Sequence, residues 1–235
     1  MKKYPLQNLS FLSMLLAFFL GNCGVNSGNP TGNSITTASV YVETSKIASV
    51  QSLSLRVRGV QFINNDQMHK PDEAQTESIV FDSVKVIDLT DVSQGERIAL
   101  LENRSITFRD YRQVRLLLDP TQAGTAVLSS GETKAVMAIP LDLFVVDQGS
   151  ALPNGGRQTD QLAMVSSQSM MTAGGANKMA LRMDWAQIMV APQTLSSSLS
   201  EYFMKEKGLS QQDMNTMMFL QPMQAEKSSI VPIKN

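Results

Sequence analysis

Leu53, Leu55 and Val57 alternate with Ser54, Arg56 and Arg58. A period of two is the pattern of a strand with one face buried and the other wet. A helix does not accommodate it, because residues two apart point to nearly opposite sides of a helix. Gly59 breaks the phase before Val60 and Phe62, which predicts a β-bulge. Further strand-like pieces come after it. Ile79 to Leu89 is rich in Val, Ile and Phe and leads to the turn-like Asp91 to Gly95. Ile98 to Leu101 is short and apolar, and Tyr111 to Leu118 is strongly strand-like until Asp119-Pro120 stops it. Thr125 to Leu128 and Lys134 to Ile139 flank Ser129-Ser130-Gly131, the signature of a hairpin. Leu141 to Val146 continues the series, and Gln148 to Gln161, with Pro153, Asn154, Gly155 and Gly156, reads as a loop.

Met179, Leu181, Met183 and Trp185 alternate with Ala180, Arg182 and Asp184, giving another strand, and Met217 to Leu220 gives a last one before Pro222. Leu195, Leu199, Tyr202 and Phe203 instead fall at helical spacing, with Thr194 to cap the start and Lys205, Lys207 and Gly208 to suit the end. Short strands separated by turn residues predict an all-β fold. The expectation is a mainly antiparallel β-sandwich, Ig-like or transthyretin-like, with one short helix near the C-terminus.

The first residues carry a different message. Lys2 and Lys3 precede an apolar run from Leu9 to Leu20, and Gly21, Asn22, Cys23 and Gly24 come next. A positive start, a short apolar run and then small residues is the layout of a secretory signal. Crossing a bilayer as a helix takes roughly 20 apolar residues, more than this run has. Leu20-Gly21-Asn22-Cys23 resembles the lipobox of bacterial lipoproteins, with Asn22 where Gly or Ala is usual. The resemblance implies lipidation of the Cys23 thiol and removal of residues 1–22, leaving the protein tethered to a membrane through that lipid. Cys23 is the only cysteine, so the exported part folds without an internal disulfide. Gly24 to Thr37 is nearly all Gly, Asn, Ser, Thr and Pro, a composition too polar to bury a core, and reads as a tether. The expected organisation is a signal over 1–22, lipidated cysteine and tether over 23–45, a sandwich domain over 46–228 and a tail over 229–235.

Residues that could carry chemistry are few. His69 is the only histidine and lies in a polar stretch beside Lys70, Pro71, Asp72 and Glu73. Zinc asks for three or four Cys, His or acidic ligands, so His69 is expected to be a solvated loop residue and no metal site is assigned. Asp82, Asp88, Asp91 and Asp119 show no spacing that sets two carboxylates across a cleft, and no Gly-x-Ser-x-Gly elbow is present. No catalytic residue, cofactor or enzymatic activity is expected. Arg109 and Arg115 share a parity that Arg112 does not, so they form no single basic stripe, and Arg115 is expected in a structural ion pair. With 20 basic and 21 acidic residues, and the basic ones scattered, the chain lacks the basic face that nucleic acid demands.

Methionine is the unusual component, with 15 in the chain. Met164, Met170, Met171, Met179, Met183, Met189, Met204, Met214, Met217, Met218 and Met223 crowd the last third. Thioethers can fill a core, line an adaptable partner surface or hold Cu(I). Met179 and Met183 share the parity of Trp185, which favours packing.

Ile87-Asp88-Leu89-Thr90-Asp91, Leu100-Leu101, Tyr111-Arg112-Gln113-Val114-Arg115-Leu116, Leu181-Arg182-Met183-Asp184-Trp185 and Leu220-Gln221-Pro222 occur in that order. Together they resemble an uncharacterised β-rich domain family found in bacterial lipoproteins, over roughly Lys46 to Ser228. Trp185 stands where that family usually has Phe, and Asp110 where it has Gly before the Tyr. The resemblance implies an exported β-rich domain and no particular activity. The expected function is that of a non-enzymatic lipoprotein of the cell envelope that binds or scaffolds an envelope or surface protein. The alternative is periplasmic copper handling through the methionines. Gly24 is not the Asp that retains lipoproteins at the inner membrane under the usual sorting rule, so the outer membrane is the expected location.

Overall fold

A computed structural model describes residues 35–43, 50–64, 76–89, 96–107, 109, 111–141, 143–144, 162–166, 171, 176–222 and 228–233, with the backbone alone at 162–166, 186 and 228–229. The chain divides into 1–32 and 33–235, and every described residue lies in the second unit. Cys23, His69, Asp91, Met170 and Met223 lie outside the described residues.

Two sheets make the fold, an all-β sandwich. The first has four strands in the order β12-β9-β1-β4, formed by β1 (Ile35–Glu43), β4 (Arg97–Thr107), β9 (Ala176–Met183) and β12 (Ser228–Pro232). The second is built on β2 (Val50–Ile63). One edge of β2 pairs with β3 (Thr76–Asp88) from Ser54 to Ile63. The other edge is divided. Val57 to Ile63 pair with β5 (Gln113–Leu118), and Val50 to Leu55 pair with β6 (Gly124–Leu128). The sheet therefore forks. One arm continues to β8 (Leu162–Ser166). The other runs through β7 (Thr133–Ala138) and β11 (Met217–Leu220) to β10 (Met189–Val190). Pairing is antiparallel throughout except for β1 with β9 and β7 with β11.

The alternation in β2 holds. Leu53, Leu55, Val57, Val60 and Phe62 are buried, and Ser54, Arg56 and Arg58 are half-buried. The bulge predicted at Gly59 is present, as a register shift between Val57 and Gly59 against both neighbours. On the β3 side it is large, because Val57 pairs with Lys85 and Gly59 with Val80, leaving 81–84 opposite Arg58 alone. Such an insertion bends its strand and disrupts the ladder locally.

Two cores result. The larger, between the sheets, takes Val40, Leu55, Val60, Leu116, Leu181 and Trp185 among others. The smaller lies on the outer side of the β7–β11–β10 arm, under α2 (Ser197–Glu206) and α3 (Gln211–Asn215). Alternation sorts side chains between the two. Val136, Ala138, Leu220 and Met189 face the larger core, while Met137, Phe219 and Val190 face the smaller. A strand wet on one side cannot read Met-Met-Phe-Leu, but one buried on both faces can.

Helix α2 buries Leu199, Tyr202 and Phe203, as expected from their spacing. Its cap differs: Ser196 accepts from the backbone N–H of Leu199, whereas Thr194 ends a separate 3-10 turn, Pro192–Thr194. Gly208 adopts φ +66°, the left-handed turn that commonly succeeds a helix.

Several expectations are corrected. The backbone of Leu141, Leu143 and Phe144 is helical, and Phe144 N–H donates to Pro140 O over 2.9 Å. Pro140 has no N–H for a sheet ladder and suits the start of a helix, so Leu141, Leu143 and Phe144 do not form the expected strand. Strand β9 ends at Met183, and Trp185 opens the single turn α1 (Trp185–Ile188), for which Asp184 accepts from Gln187 N–H. The stretch assigned to a tether as far as residue 45 contains β1, paired on both sides, and the tail from 229 contains most of β12.

Candidate functional site

The polar groups gathered by the fold are candidates for chemistry, and the fork holds the densest set. Between β5 and β6 the chain makes an excursion over 119–123, and Arg56 bonds both of its ends. Arg56 O accepts from Asp119 N–H at 2.9 Å, and Arg56 N–H donates to Ala123 O at 2.8 Å. The side chains repeat the link. Arg56 Nε and Nη2 donate to Asp119 Oδ2 at 3.0 and 2.7 Å. Thr121 fills the other oxygen, its N–H and hydroxyl donating to Oδ1 at 3.0 and 2.7 Å. Lys207, just past α2, donates from Nζ to Pro120 O at 3.2 Å and ties the excursion to the helices.

These donors, Thr121 foremost, lower the Asp119 carboxyl to about 2. It is ionised at neutral pH and both its oxygens are occupied, a poor arrangement for a general acid or base. Since the folded value lies below the ordinary 3.8, the stabilisation is present above about pH 4 and lost as pH falls toward 2. Arg56 is partly exposed and solvent screens the pair, so about 1–2 kcal/mol is the expected size. Asp119→Asn should lose that amount at pH 7, and variant and parent should converge near pH 2. Urea denaturation across that range measures it, and a constant gap would rule out this origin.

A second polar link joins the sheets. Glu77 Oε2, on β3, accepts from the backbone N–H of Thr107, on β4, at 2.8 Å and from the Tyr111 hydroxyl at 2.9 Å. Burial, and then the bond to Glu77, push the Tyr111 hydroxyl above its ordinary value, so it stays protonated and donating. Its ring packs on Phe62 with centroids 5.6 Å apart. On the four-stranded sheet, Glu43 Oε2 takes Arg182 Nε at 2.8 Å and faces Arg97 Nε at 3.8 Å, linking three strands.

The arginines singled out by sequence separate as their parity implied: Arg109 is half-buried, Arg112 exposed and Arg115 fully buried. Arg115 Nη2 lies 3.5 Å from Gln113 Oε1. Burial pulls its guanidinium down to about 10, still charged at neutral pH. Asp82 and Asp88 are exposed on β3. Among the described residues no three His, Cys, Asp or Glu side chains converge as metal ligands. The methionines divide. Met171, Met179, Met183 and Met189 are in the larger core, with Met218 packed against it. Met137 and Met214 are in the smaller, with Met217 beside it, and Met204 is exposed. Glu77 and the Arg56–Asp119 pair had no sequence signal, since their partners lie 30 to 63 residues away.

The apolar and aromatic residues of the phrases that carried the family resemblance are core positions. Ile87, Leu89, Leu100, Leu101, Tyr111, Val114, Leu116, Leu181, Met183, Trp185 and Leu220 all lie in the larger core. Their pattern specifies packing.

Sheets, cores and polar links together define an all-β sandwich domain with a helical cover on one arm of a forked sheet. The chain belongs to the family described as "Domain of unknown function (DUF4382)", whose model matches residues 36–205. The match opens in β1 and closes in α2, so α3, β11 and β12 lie beyond it. No curated protein and no solved structure matches the chain.

Proposed function

We propose that this chain is a lipoprotein of the cell envelope, lipidated on Cys23, whose sandwich binds or scaffolds another envelope component. The observation that carries the reading is the place of the only cysteine, directly after an apolar run led by two lysines. The chain beyond the cysteine agrees with it. Residues 24–34 lead straight into β1 and, fully extended, would span at most about 40 Å. Gly24 after the cysteine favours the outer membrane. The polar clusters around Asp119, Glu77 and Glu43 each tie strands together, so these groups serve the framework and leave binding or scaffolding to the domain's outer surface. In this reading the folded domain presents a surface, and the lipid supplies the location.

Metabolic labelling with a fatty-acid analogue tests the anchor. The parent should carry label and sediment with membranes, whereas Cys23→Ala should be unlabelled, uncut and released or mislocalised. Label on the variant would sink the proposal. Protease added to intact and then to lysed cells separates a surface role from a periplasmic one. Most of the described methionines lie in or against the two cores, with Met204 exposed, and they favour packing over a copper site. Titration of the protein with Cu(I) is expected to show no saturable binding, and a stoichiometric site would revive copper handling.

A further inference from the structure

We draw no further inference here: the strongest candidate, the outer edge of β3 with Val80 and Val86 exposed, carries nothing because nothing in the structure shows what covers it.

Discussion

Trp185→Ala is expected to lose about 4 kcal/mol of stability, and Trp185→Phe less than half of that. Trp185 is fully buried and heads the largest side chains of the core. Truncating a buried aromatic residue to alanine typically costs about 3–5 kcal/mol through lost transfer energy and the cavity left behind. Phenylalanine is different for a reason particular to this site. Among the described residues the indole Nε1 is buried without a hydrogen-bond partner, and an unsatisfied buried donor carries a penalty of about 1–3 kcal/mol. Phenylalanine refills most of the space and removes that donor. Urea denaturation followed by circular dichroism gives both values, since neither variant retains the chain's single tryptophan as a fluorescent reporter. Equal losses would show that the N–H has an acceptor and that the explanation is wrong.

Gly124→Ala should be nearly as damaging, by about 3 kcal/mol, although it adds a single methyl group. A Cβ at Gly124 would stand 2.2 Å from Ser54 O and 3.3 Å from Leu55 Cα, all backbone that cannot rotate aside. Strands β2 and β6 would have to part at the place where the sheet divides. Gly131 supplies the contrast. Its φ of +86° strains any side chain, but nothing lies within 4 Å of a Cβ there. Gly131→Ala should therefore cost only about 1–2 kcal/mol, the usual penalty for a left-handed backbone. Denaturation midpoints ranking Gly131→Ala as the worse variant would mean that the strands at the fork have more room than this geometry allows.

The parts of the fold legible in the sequence are those in which each strand buries one face. Leu53 to Val57 announce β2, Gly59 announces its bulge, and the Gly131 hairpin and the α2 spacing are equally plain. Strand β1 is hidden because its inward side is Thr36, Ala38, Val40 and Val42, half of it small or polar. The Thr36 hydroxyl is satisfied by Asn177 Nδ2 at 3.0 Å, a partner 141 residues away. Local composition cannot show such a bond, so Gly24 to Thr37 looks uniformly unstructured. The Leu141 to Val146 stretch misleads for the reverse reason: apolar residues are present, but Pro140 sets the backbone and hydropathy alone does not see it. The fork itself has no one-dimensional trace, since it depends on two separate segments sharing one edge of β2. Candidate chemistry is legible only as a scarcity of suitable residues, and the polar groups the fold brings together come from distant parts of the chain.

The way the N-terminal segment enters the sandwich has a mechanical consequence. Chain arriving from residue 34 does not join an edge. It becomes β1, held by β4 on one side over Ile35 to Glu43 and by β9 on the other over Thr37 to Glu43. Tension applied at Ile35 along the strand would load both ladders in shear, whereas an edge strand pulled across its ladder could peel one bond at a time. A domain held through this end would resist being pulled apart, because both ladders must yield together.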